Sequence, residues 1–280
     1  MMKGRASQDA RRRMQMLMYG VCVLLIVSGW AYSCYANHRN SKATPAGEVA
    51  DAASLEKVVA PYLEDSQYIK YPGFNVSFNN RHHEPNYVSW ELTGEETKGR
   101  TPRFNTFAPD LNVLGCARLE DYRGSGYDRG HMAPAGDMKW SQEAMEACFL
   151  LTNMCPQAKA LNSGAWKTLE EKCRQWAVRD SALIIVCGPI LTDKLTRTIG
   201  DGVTVPDRFF KVILAPYANP PRAIGFIMPN GRVSGGMQQA AVSVDEVEAA
   251  TGYDFFSALP DDIENQVEAE CNFPLWSRTK

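Results

Sequence analysis

Ala182-Leu183-Ile184-Ile185-Val186-Cys187-Gly188 is a short, uninterrupted apolar run, and it reads as a core strand. Phe209 to Ala215 and Ala223 to Met228 read the same way, with turn signals at Asn219-Pro220-Pro221 and Asn230-Gly231. Working outward, Tyr87-Val88-Ser89-Trp90-Glu91-Leu92 alternates apolar and polar residues, which predicts a half-buried strand. Ile69 to Phe78 predicts an extended segment around Tyr71-Pro72-Gly73. Strands joined by short loops with a few helices between them indicate an α+β domain, with a mainly antiparallel sheet and packed helices.

Helices are expected over Leu55–Leu63 and from Gln142 onward, the latter with Ser141 as cap and acidic residues in its first turn. A further helix is predicted from about Ser163 to Arg179, where Trp166, Leu169, Cys173 and Trp176 recur at spacings of three or four. Val242–Thr251 and Asp261–Ala269, the second just after Pro260, read as closing helices. Phe149-Leu150-Leu151-Thr152 reads as a short strand that Asn153 to Gln157 breaks, and there is no internal repeat.

The 280 residues suffice for one sizeable core with an appendage. No charged residue occurs from Met14 to Asn37, a stretch longer than the roughly 20 apolar residues that span a bilayer. Lys3, Arg5, Arg11, Arg12 and Arg13 precede it, and only Arg39 and Lys42 follow closely, so the positive-inside rule holds the N-terminus in the cytoplasm. The expectation is an apolar helix within residues 1–36, acting as a cleaved signal or as a membrane anchor. A linker over 37–54 and a folded domain over 55–280 would follow, the domain exported or membrane-anchored outside the cytoplasm. A mitochondrial transit peptide fits less well, because such peptides are amphipathic and this run is continuous.

Cys22 and Cys34 lie in the apolar run, and Cys116, Cys148, Cys155, Cys173, Cys187 and Cys271 lie beyond it. The last six would pair in an oxidising compartment and stay as buried thiols otherwise. No Cys-x-x-Cys occurs, which argues against a zinc ribbon. Residues 37–280 carry 25 Lys+Arg against 31 Asp+Glu, so a module binding nucleic acid through a broad basic surface is disfavoured. A local grip on a few phosphates is still open, since Lys98, Arg100, Arg103, Arg123 and Arg129 gather in one part of the chain.

Four histidines are present: His38, His82, His83 and His131. His131 alone stands in a chemically suggestive setting, Tyr127-Asp128-Arg129-Gly130-His131-Met132-Ala133-Pro134. Downstream come Asn153-x-x-Pro156-Gln157, then Leu161-Asn162 with Trp166 and Leu169-Glu170. In this order and spacing the chain closely resembles the DNA/RNA non-specific endonuclease family, the sugar-non-specific nucleases of ββα-metal type that include endonuclease G. The resemblance covers about residues 60 to 275 and implies a ββα-metal active-site motif within the α+β fold.

Phosphodiester hydrolysis needs an activated water, relief of charge on the non-bridging oxygens and stabilisation of the departing oxygen. The resemblance assigns His131 as general base and Asn162 as the single protein ligand to Mg2+, with Mn2+ as substitute. It assigns Glu170 to ordering metal-bound water and Asn153 to supporting the base. Without the family, Asn162 is a helix cap and Glu170 an exposed helical residue. On an α-helix Glu170 would stand two turns beyond Asn162 and roughly 80° round the axis, near the same cleft edge. Arg103 is the candidate for holding the scissile phosphate, Arg129 is a second backbone contact, and Asp128 orients the motif. The expectation is a Mg2+-dependent endonuclease acting on DNA and RNA with little sequence preference and leaving 5'-phosphates. Attachment to a membrane through the N-terminus and a homodimer are further expectations. The rivals are an inactive nucleic-acid-binding homologue and a phosphodiesterase of small phosphate esters.

Overall fold

A computed structural model describes residues 51–59, 66–191 and 197–277. The apolar N-terminal segment and nearly all of the expected linker lie outside the described residues.

The Ala182–Gly188 run forms the middle of the main sheet. It is β6 (Ala182–Pro189), buried throughout. The strands before it are β1 (Ser66–Tyr71), β2 (Phe74–Asn79), β3 (Glu84–Thr93), β4 (Asp128–His131) and β5 (Met154–Gln157). After it come β7 (Thr198–Ile199), β8 (Val203–Thr204), β9 (Arg208–Ala215), β10 (Arg222–Pro229) and β11 (Ala241–Val242). Among the described residues, one seven-stranded sheet has the order β1-β2-β3-β6-β9-β10-β11. Every pairing within it is antiparallel.

The helices are α1 (Ala52–Leu55), α2 (Leu119–Tyr122), α3 (Gln142–Ala147), α4 (Lys167–Asp180), α5 (Gly236–Ala240), α6 (Val244–Thr251), α7 (Asp261–Ala269) and α8 (Phe273–Ser277). Because side chains alternate along a strand, the continuously apolar runs bury both sheet faces. On β6, Leu183, Ile185 and Cys187 enter one core, with Trp166, Leu169, Cys173 and Trp176 from the segment leading into and along α4. Ile184 and Val186 enter a second core, with Val244, Val247 and Val267 from α6 and α7. This double burial corrects the half-buried reading of β3, of which Tyr87 to Trp90 is buried. Its polar Ser89 lies between packed layers, not against solvent.

Three local expectations are corrected. The first helix ends at Leu55, after which Val58 forms an antiparallel bridge with Phe255, so the chain leaves helical geometry to meet the sheet domain. Phe149–Thr152 is not a strand: Leu150 makes a single bridge to Ala108, and Leu151–Asn153 is a 3-10 turn. The strand begins instead at Met154, where a breaker was expected, because Pro156 pairs at the margin of a two-stranded ribbon. The six described cysteines are all free thiols, the second of the two alternatives that the sequence left open. Five of the six are buried or half-buried and pack as small apolar side chains.

Candidate active site

The Asp128-to-His131 stretch is β4, and it pairs antiparallel with β5 so that Asp128 faces Gln157, Gly130 faces Cys155 and His131 faces Met154. Gly130 is required at this crossing: a Cβ there would lie 2.2 Å from Gln157 Oε1. A π-helical turn over Leu161–Trp166 follows, broken at Gly164 (φ −107°, ψ −117°), and leads directly into α4. The two strands and α4 form a ββα unit that brings all three sequence motifs together.

His131 is buried, with its ring edge-on to Phe149 at 4.9 Å between centroids and tilted against Phe107 at 5.5 Å. Its Nε2 has no hydrogen-bond partner. Its backbone carbonyl accepts the Trp166 indole N–H at 3.1 Å, which locks β4 to the π turn. Burial, then the positive charges of Arg103 and Arg129, push the imidazole down to about 3, so the ring is neutral at pH 7. Each arginine stacks on one of the rings that hold His131: Arg103 on Phe149 at 4.9 Å and Arg129 on Phe107 at 4.3 Å. Stacking occupies the guanidinium faces; Arg103 Nε–H donates to Asn105 Oδ1 at 2.9 Å, so its terminal N–H groups and the donor edge of Arg129 are what is offered to an anion.

Asn162 does not cap a helix. Its Nδ2 donates to Asp128 Oδ2 at 2.9 Å, which leaves its carbonyl oxygen as the remaining functional atom. Glu170, in the first turn of α4, is half-buried and lines the same cleft. Burial is the largest influence on its carboxyl; opposed by Lys211 and reinforced by Asp137, it lifts the group to about 7. The ideal-helix relation between Asn162 and Glu170 is corrected by the break at Gly164, yet both still reach one cavity.

Asn153, expected to support the base, lies against the backbone beside it and does not face the cleft. Fully buried, it accepts from the Ala133 N–H and donates to the Ala133 and Cys148 carbonyls, each at 2.9 Å. Its amide is spent on backbone, so it braces the segment after His131 and is absent from the cleft wall. His82 and His83 are also away from the cleft, bonded to Thr204 and to the Gly115 carbonyl.

The cleft encloses about 1090 Å³ and is lined by Arg100, Arg103, Arg123, Arg129, Lys139, Lys167 and Arg174 against the acidic Asp128 and Glu170. A molecule whose sequence is acidic beyond residue 36 thus concentrates cations at one place. Lys98, expected with this group, pairs with Glu95 instead and does not line it. Lys139, Lys167 and Arg174 were not anticipated, because folding alone brings these distant positions together. Arg174 is held by the buried Asp137 at 2.8 Å, and Asp137 also accepts from the Trp90 indole at 3.2 Å. Lys211, buried within the sheet, lies over the Trp166 ring at 4.3 Å. Apolar neighbours in β9 hid this residue from sequence reasoning.

A family profile described as DNA/RNA non-specific endonuclease matches residues 51–262. The chain is 36% identical over 220 residues to Nuclease 1, mitochondrial, of Schizosaccharomyces pombe, covering 71% of this chain and 68% of that protein. It is 36% identical over 207 residues to Nuclease EXOG, mitochondrial, of Danio rerio, covering 68% of this chain and 60% of the relative. Among solved structures it is similar to one titled as the EndoG/EndoGI complex and the mechanism of EndoG inhibition. The TM-score there is 0.65 at 27% identity, over 79% of this chain and 95% of that one.

These likenesses correct the expectation of an exported or membrane-anchored domain outside the cytoplasm, since both relatives are named as mitochondrial. No helix among the described residues is long and apolar enough to cross a membrane. A basic, nearly acid-free N-terminus is common to secretory and mitochondrial targeting segments. Charge asymmetry alone therefore does not distinguish the two routes.

Proposed function

The chain belongs to the DNA/RNA non-specific endonuclease family, and from that premise we propose that it is a Mg2+-dependent enzyme with His131 as general base and one catalytic metal ion. It is a nucleic-acid-hydrolysing endonuclease, so what is proposed is the chemistry of the site and its setting. The observation that carries the reading is the buried, unpartnered Nε2 of His131, set in the same cation-lined cleft as Asn162 and Glu170.

His131 Nε2 takes the proton of the attacking water. An imidazole held near 3 is a weak base. A bound phosphate offsets the Arg103 and Arg129 charges that depress it, so the ring gains basicity when substrate arrives. Arg103 and Arg129 hold the phosphate through the N–H donors left free. Asn153 and Trp166 keep the imidazole in place through the backbone on either side of it.

The residues present fit a hard divalent ion. Asp128 turns the Asn162 carbonyl oxygen toward use as a ligand, and Glu170 supplies a carboxylate on the same wall. So few protein ligands suit Mg2+, which usually keeps several waters, and Mn2+ would substitute. When bound, the ion supplies Lewis-acid stabilisation of the phosphate and the departing oxygen.

Contacts made to phosphate and sugar carry little base information, which supports action on DNA and RNA with low sequence preference. The products would carry 5'-phosphates, as the family resemblance implies. Seven basic side chains line the cleft, which favours a polyanion that presents several phosphates over small phosphate esters. The mitochondrial names of the relatives support action in that organelle.

The test incubates plasmid DNA and RNA with the protein in Mg2+ or chelator, beside His131→Ala. Metal-dependent cutting of both polymers is expected, with a loss of about 10²–10⁴-fold in kcat for the variant. Undiminished cutting by His131→Ala, or cutting in chelator, would overturn the mechanism.

A further inference from the structure

Away from the cleft, α6 and α7 cover the second core of the sheet, and three carboxylates meet where they pack. Asp245 lies in the first turn of α6, Glu248 one turn further on, and Glu268 in the last turn of α7. Each offers one oxygen, and these atoms lie within 4.8 Å of one another. None of the three lines the catalytic cleft.

Acidic residues gather on many surfaces without consequence, but Glu268 is not a surface residue. It is 6% exposed, and its Oε1 is buried with no hydrogen-bond partner. The charged neighbours acting on it, Glu248, Glu264, Asp245 and Asp254, are all acidic. No ion pair of the described residues includes Asp245, Glu248 or Glu268. Glu268 also stands at the end of α7 where unsatisfied carbonyls gather negative charge, and the last turn holds no basic residue to offset them. Glu248 is fixed in direction because its Oε1 accepts the Phe255 N–H at 2.8 Å.

We propose that Asp245, Glu248 and Glu268 bind a hard divalent cation, Ca2+ in preference to Mg2+, at a structural site that fastens α7 to α6. Hard oxygen donors suit both ions. Ca2+ is the better fit because it takes about six to eight oxygens in flexible geometry, whereas Mg2+ demands near-ideal octahedral geometry, to which carboxylates fixed on two packed helices, one of them held by the Phe255 N–H, adjust less readily. The exposed side of Asp245 leaves room for water to complete the shell. The ion offsets the mutual repulsion of the carboxylates and the negative end of α7, and supplies a counter-charge to the buried Glu268 carboxylate, which has none.

The experiment uses the full chain carrying Asn162→Ala, which removes the proposed ligand of the catalytic ion, after treatment with chelator. Calcium binding is measured by equilibrium dialysis and thermal unfolding is followed with CaCl2 or MgCl2. One Ca2+ per chain and a rise in Tm of roughly 5 °C are expected, with Mg2+ less effective. Adding Glu268→Gln should abolish both. Adding Asp245→Asn, at an exposed position that spares the fold, should weaken binding by about tenfold or more. No calcium binding at millimolar concentration, or undiminished binding by the Asp245→Asn protein, would overturn the proposal. A higher Tm for Glu268→Gln in chelator, together with no calcium effect on its parent, would also overturn it, by showing that Glu268 is held as a neutral acid.

Discussion

His131 acts through its surroundings. Burial and two arginines stacked on its supporting rings keep the imidazole neutral far into acid, so the base form is present at pH 7 and is lost only as pH falls toward the depressed value. Removing one positive charge raises that value. For Arg103→Gln, the acid limb of kcat/KM, which reports the free enzyme, should therefore move to higher pH. A pH–rate profile beside that of the unaltered protein checks this, and an unmoved limb would show that Arg103 does not act on His131. Asp128 works through Asn162 in the same indirect way, by its bond to Nδ2. Asp128→Ala should raise the Mg2+ concentration for half-maximal activity by about 10–100-fold while rate at saturating Mg2+ falls less. Metal titrations of initial rate separate the two effects.

At the level of elements, the proposed catalytic unit is a two-stranded ribbon and a helix held by polar clamps on their backbones. Asn153 ties Ala133 to Cys148, and Asn230, at a turn distant in sequence, accepts from the Ala158 N–H and donates to the Pro156 and Pro206 carbonyls. Removing a buried amide leaves its partners desolvated and unpaired, at about 1–3 kcal/mol for each group. Asn153→Ala should therefore destabilise the domain by about 3–5 kcal/mol, a fall in Tm of roughly 6–15 °C measured by calorimetry. A change under 1 °C would rule out the brace. Gly164 serves the same unit by breaking helical geometry between Asn162 and α4, and both Asn162 and Glu170 of α4 line one cavity.

For the whole molecule, the central strands of the sheet are buried on both faces, and that gives its few buried acids leverage over stability. Glu84 is fully buried at the start of β3, neither carboxyl oxygen accepts a conventional hydrogen bond, and burial raises its ionisation well above the ordinary range. The folded protein then holds a proton that the unfolded chain releases near 4.5. The resulting stability is fully present below that value and is lost as pH rises through the folded one. Glu84→Gln keeps the volume and removes the titration. Its Tm should fall less steeply than that of the unaltered protein as pH rises above the ordinary carboxyl range, as thermal melts across pH would register. The basic cleft is likewise a property of the whole, since seven cations from separate segments line it within an otherwise acidic domain.

The sequence by itself determined the α+β class, the principal strands, the two closing helices and the ordered motifs carrying His131, Asn162 and Glu170. Side-chain periodicity and short fixed spacings record such features locally. It misplaced the segment from Phe149 to Gln157, because a strand of four residues containing proline exists only by virtue of its partner β4. It left open how Asn153 supports the base, because an amide spent on backbone and one facing substrate are identical in sequence. Tertiary structure alone decided that Asp128 orients Asn162, that Trp166 holds the His131 carbonyl, and that Lys139, Lys167 and Arg174 join the cleft. Those relations depend on contacts between residues far apart in the chain, and burial and direction appear only once those contacts have formed.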